Sequence, residues 1–71
     1  MPTQLTRTLT FVPVRDGLWR VIGRSGAVLG HVERLPTPDG ERFQARRLIA
    51  GTVMRVLGEF CCRRDAEDCF R

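Results

Sequence analysis

The chain contains no lysine and no tyrosine, and only one histidine, one tryptophan and three cysteines among its 71 residues. Each scarcity excludes something. An odd number of cysteines leaves at least one thiol unpaired within a monomer, which points to a reducing, cytoplasmic setting. Cys61, Cys62 and Cys69 show no C-x2-C knuckle, and no second histidine stands near His31 to complete a zinc ligand set. A lone His31, with no Ser, Cys or carboxylate at a recognisable motif spacing, reads as a structural or surface residue rather than a catalytic one. Neither G-x-x-x-x-G-K-[ST] nor G-x-G-x-x-G is present, so no loop is built to cradle a nucleotide. No apolar run reaches the ~18 residues of a membrane span, and MPTQLTRTLT lacks the apolar core of a secretory signal. The expectation is a non-enzymatic protein without cofactor, metal, membrane or small-molecule substrate.

What remains is an ordinary globular composition, 42% hydrophobic and 28% charged, which sets it apart from a disordered chain. At this length one domain is expected, and folding removes only about 60% of the unfolded surface from water. Dimerisation would bury more. The net charge is +4, and all twelve basic residues are arginine. Arginine forks onto phosphates better than lysine does, although a GC-rich genome produces the same bias. The charge permits nucleic acid without requiring it.

The organising stretch is Leu57 to Phe70. Met54, Val56, Gly58 and Phe60 alternate with Val53, Arg55, Leu57 and Glu59, the period of a strand with one buried face. The period then changes. Ala66, Cys69 and Phe70 share one face of a helix expected from about Arg63 to Phe70. Cys62 takes the N-cap place and Asp65 the reaching-back place of a capping box, but a thiol is a weak acceptor. So short a helix requires docking on a sheet.

Residues 1–8 read as a loosely held N-terminal segment and 9–71 as the domain. Leu9 and Phe11 can begin a strand that Pro13 either ends or confines to an edge. Asp16-Gly17 marks a hairpin turn. Leu18–Ile22 and Val28–Leu35 follow as strands around a GRSG turn. Pro36 to Gly40 forms a connection of six or seven residues, and Phe43 onward alternates again. Ala45, Leu48, Ile49, Thr52, Val53, Val56, Leu57 and Phe60 also fit a helical stripe. Gly51, Gly58 and the β-branched Thr52 and Val53 weigh toward a hairpin, though periodicity leaves both forms standing. The predicted fold is α+β: a three- to four-stranded antiparallel meander with one C-terminal helix packed on one face. Its core is Trp19, Val21, Val28, Val32, Phe43, Ala45, Met54, Val56, Phe60, Ala66 and Phe70.

On the opposite face the alternation gathers Arg20, Arg42, Gln44, Arg46 and Arg55, joined by His31 and interrupted by Ile22, Leu29, Glu33 and Glu59. Arginines at alternating positions can contact phosphates and base edges. Cross-strand pairing with glutamates in a solvated face is the plainer role. Ile22 and Leu29 on that face suggest instead a homodimer or partner interface with an arginine rim.

From Trp19 to Phe70 the pattern W-x-V, G-x-V-L-G-x-V, D-G-x-R-F-x-A-R-R, L-G-E-F and D-A-x-x-C-F resembles a group of small actinobacterial proteins. More loosely, three strands followed by Phe60 to Phe70 are similar to AP2-like and integrase arm-binding domains, which bind DNA with the sheet. That resemblance implies DNA contacts by Arg20, Arg42, Gln44 and Arg46.

Overall fold

A computed structural model describes residues 9–71 of the protein. The segment 1–8 expected to be loosely held lies outside the described residues. In chain order come β1 Thr10–Arg15, β2 Leu18–Ile22, β3 Val28–Thr37, β4 Gly40–Ala50, β5 Val53–Phe60 and α1 Arg63–Asp68. The strands form one antiparallel sheet in the order β1-β2-β3-β4-β5. The expected α+β meander is present, with five strands instead of three or four. Pro13 does not end β1. It pairs with Trp19 on an edge strand, where the donor it lacks is not required on the outer side.

The β3–β4 hairpin fixes the register of everything else. Its pairing is unbroken from Gly30 opposite Arg47 to Thr37 opposite Gly40. Only Pro38 and Asp39 separate the two strands, so the connection is shorter than the six or seven residues expected. Gly40 holds a φ of 120° that a side chain would resist, and the Thr37 hydroxyl donates to its carbonyl at 2.6 Å. The stretch Ala45 to Phe60 is likewise a hairpin and not a helix. Gly51 makes its turn with a φ of 57°.

One sheet face carries the core. Val21, Val32 and Ala45 lie there, covered by Ala66 and Phe70 from the helix end of the chain, and all five are buried. Leu9, Phe11, Trp19, Leu29, Phe43, Phe60 and Cys69 pack around them. The Trp19 and Phe43 rings meet at 6.3 Å, and the Arg63 guanidinium sits 4.8 Å from the Trp19 ring centre. Cys62 is the N-cap residue of α1 but makes no side-chain cap bond, as a weak sulfur acceptor predicts. A bridge of 2.8 Å from Arg63 to Glu67 steadies the single exposed turn. At six residues the helix depends on its docking.

Three expected core residues are displaced. Val28 is 37% and Val56 55% exposed, and Met54 pairs with Leu48 away from the helix. The cause is a set of register shifts that leave Val14, Leu29, Ile49 and Leu57 as extra residues in their ladders. An extra residue reverses the alternation beyond it. Gly58 and Phe60 therefore stay under the helix, whereas Val56 and Met54 turn to the other face. Two of these irregularities fall on the edge strands β1 and β5, where they bend an otherwise open pairing edge. Among the described residues no helix is long and apolar enough to cross a membrane.

Candidate nucleic-acid interface

The face opposite the helix is set by the same pairing. Residues directly across antiparallel strands share a face, so Arg20 of β2, His31 of β3 and Arg46 of β4 form one cross-strand row that ends at Val56 of β5. The adjacent row runs from Arg15 of β1 through Leu18, Glu33 and Gln44 to Glu59. Arg42 lies one row further on, opposite Leu35. Four of the expected site residues, Arg20, Arg42, Gln44 and Arg46, thus share this open face.

Arg55 does not join them. It pairs with Arg47, which in turn faces Gly30 beneath Phe70, because the extra residue Leu57 carries it to the helix side. Ile22 and Leu29 also part company. Ile22 pairs with Val28 on the open face, while Leu29, the extra residue there, is half-buried and packs against the core. The most exposed large apolar residues, Ile49, Val53 and Val56, lie around the β4–β5 hairpin, Val56 at the β5 end of the open-face row.

Glu33 organises the charges. One of its carboxylate oxygens accepts from Arg15 Nη2 at 2.9 Å, and the other forms an ion pair with Arg46 Nη2 at 3.1 Å. Arg15 was not among the residues singled out from sequence. The Asp16-Gly17 turn next to it fixes where β1 ends, but the extra residue Val14, which aims Arg15 onto this face, leaves no mark in the sequence. Arg46 Nε is buried and meets no acceptor. Gln44 donates to Glu59 at 3.4 Å, and Arg42 donates to the Cys61 sulfur at 3.0 Å. Arg20 has no ion-pair partner among the described residues. Partial burial, together with the Arg20 and Arg46 guanidiniums on either side, holds the His31 pKa below its ordinary value.

The cysteines do not converge on this face. Cys61 and Cys62 are exposed and Cys69 is half-buried, all three as free thiols. Burial pushes the Cys69 thiol up, and Asp68 and Asp65 add to the effect, so it stays protonated at neutral pH. Among the described residues no group of three or more His, Cys, Asp or Glu side chains gathers as a metal site would require. The open face presents guanidinium groups and one imidazole side by side. Comparison with protein-family models, curated proteins and solved structures finds no match.

Proposed function

We propose that the protein is a small non-enzymatic module that binds duplex nucleic acid by laying its open sheet face on the phosphate backbone. The observation that carries this reading is the direct cross-strand alignment of Arg20, His31 and Arg46 on three adjacent strands, with Arg42 and Gln44 beside them. Five strands at about 4.8 Å make a sheet roughly 20 Å across, wider than a major groove of about 12 Å. Such a sheet rests on the groove walls, where contacts position the protein more than they read sequence. All five aromatic rings, Phe11, Trp19, Phe43, Phe60 and Phe70, belong to the core or pack around it. The open face consequently lacks the stacking platform that single strands use, which favours a duplex.

The double substitution of Arg20 and Arg46 to alanine tests the assignment. Fluorescence anisotropy with a short duplex should show binding to the unmodified protein and a loss of roughly tenfold or more in the variant, as expected for removing two phosphate contacts near low salt. Unchanged affinity in a folded variant would refute it.

A second reading is supported by the β5 edge, which adjoins the open face at Val56. β5 is an edge strand, and Val53 at 60%, Val56 at 55% and Leu57 at 38% exposure, together with Ile49, leave an apolar strip along it. Pairing of this edge with another chain would make the module a homodimer or a protein-interaction domain.

A further inference from the structure

The row Arg20, His31, Arg46 has a chemistry beyond simple positive charge, and the inference drawn from it rests on the nucleic-acid reading of this face. Glu33 already occupies the position of an anion. It bridges Arg15 and Arg46, so one negative group sits against the arginine that an incoming phosphate would need. Arg46 Nε is sealed from water without an acceptor, an arrangement that is ordinarily destabilising. His31 stands between two guanidiniums and faces Arg20 on β2 and Arg46 on β4. On its own strand the nearest charged neighbour on this face is Glu33. On β1 the row opens with the apolar Val12 opposite Arg20, and the charged residue that reaches the region is Arg15, one row away, through Glu33. From β5 the row is closed by the apolar Val56, with Glu59 one row away opposite Gln44. The helix lies on the other side of the sheet.

We propose that this row is a proton-linked phosphate seat: a backbone phosphate displaces Glu33 from Arg46, and His31 takes up one proton from solvent as the phosphate arrives. Glu33 keeps Arg15 as its partner, so no carboxylate is stranded. Turning from Glu33 toward a ligand above the sheet frees Arg46 Nε to donate. The proton follows from the change in surroundings. In the empty site partial burial, and after it the two flanking guanidiniums, disfavour the imidazolium and lower the His31 pKa. A phosphate among the three side chains reverses the local field and favours it.

The linkage has a definite sign. If bound phosphate raises the His31 pKa, the complex holds more protons than the free protein, and affinity increases as pH falls through the interval between the two values. A rise of one unit corresponds to about a tenfold gain from the alkaline to the acidic side.

His31 is the sole histidine, so its ring protons give one isolated set of signals in the untagged protein. The experiment follows the His31 titration by NMR in chloride, in sulfate at matched ionic strength, and with a saturating short duplex DNA at low salt. Affinity for the duplex is measured alongside from pH 8 to pH 5.5. The expected result is a His31 pKa raised by about one unit on the duplex, with about tenfold tighter binding at the acidic end. His31→Gln should bind without that pH dependence, and Glu33→Gln should bind more tightly at every pH while keeping it. A duplex that binds while leaving the His31 titration unmoved overturns the proton linkage and leaves the nucleic-acid reading intact. A duplex that does not bind, with sulfate still raising the His31 pKa, removes the nucleic-acid reading and keeps a proton-linked anion seat. Failure of both ligands to move His31 and failure of the duplex to bind remove both.

Discussion

Phe70→Ala should cost about 3–5 kcal/mol, the usual range for emptying a buried phenylalanine site, and this is comparable to everything a core of this size supplies. Phe70 is one of five buried hydrophobic residues among those described. Its ring rests over Gly30 and, with Ala66, attaches the chain end to the sheet. Once the ring is gone, the six residues of α1 have too few hydrogen bonds to persist alone. The exposed sheet face would then be doubled. Urea denaturation followed by tryptophan fluorescence should find the variant largely unfolded without denaturant, because Trp19 lies at the margin of the same core. Phe70→Leu keeps apolar volume and should retain a cooperative transition at a lower midpoint. A Phe70→Ala protein with a near-native midpoint would show that the helix does not hold the fold.

Gly30→Ala should destabilise by about 1–3 kcal/mol or more, as overpacking does when the obstacle cannot move aside. A methyl group there would overlap the backbone carbonyl oxygen of Arg46 and stand 2.9 Å from Phe70 Cε1. The obstacle is space, since Gly30 does not have a positive φ. The ring can shift, but the carbonyl belongs to the central β3–β4 hairpin. Trimming the ring in a Gly30→Ala, Phe70→Leu double variant should therefore fail to restore stability. The same denaturation experiment reads this outcome. Recovery in the double variant would place the clash on the ring alone. A Gly23→Ala control meets only the flexible Leu29 side chain, at 3.3 Å, and should be milder.

The parts of the fold legible in the sequence are those written in alternation and turn chemistry. Trp19 and Val21 against Arg20, Phe43 and Ala45 against Gln44 and Arg46, and the change of period at Cys62 all survive in the structure. The parts that were not legible trace to single inserted residues. Leu57 has the same apolar character as its neighbours, so nothing in its type announces that it interrupts the ladder between Gly58 and Val56. That one insertion exposes Val56, turns Met54 away from the helix and carries Arg55 to the side opposite Arg46. Leu29 acts similarly on Val28 and is itself drawn to the core. Pro13 left two outcomes open, a strand end or an edge strand, and the edge strand is the one that formed, giving the sheet its fifth strand. The grouping of Arg20, His31, Gln44 and Arg46 was readable because the β2–β3–β4 ladders carry no insertion across those positions. The bridge from Arg15 through Glu33 to Arg46 was not, because it depends on register across four strands.

The charge pattern of the open face also explains why it need not behave as a purely basic surface. Glu33 and Glu59 occupy acceptor positions among the arginines, with Arg15, Arg46 and Gln44 as their partners. The Arg15 arm of the Glu33 bridge is exposed and contributes little to folding stability, about 0–1 kcal/mol, whereas Glu33 and Arg46 are partly buried. These pairs fix the orientation of the guanidiniums on the sheet.

The most direct measurement is the affinity of the unmodified protein for a short DNA duplex at 50 and 200 mM salt, under reducing conditions and with the solution mass recorded. Engagement of about three phosphates, as Arg20, Arg42 and Arg46 would provide, predicts a slope of log affinity against log salt of about −2.7 and about 40-fold weaker binding at the higher salt. Absence of binding at 50 mM, or binding that holds or tightens as salt rises, would contradict the account. A dimeric mass in that case would shift the assignment to the apolar edge of β5.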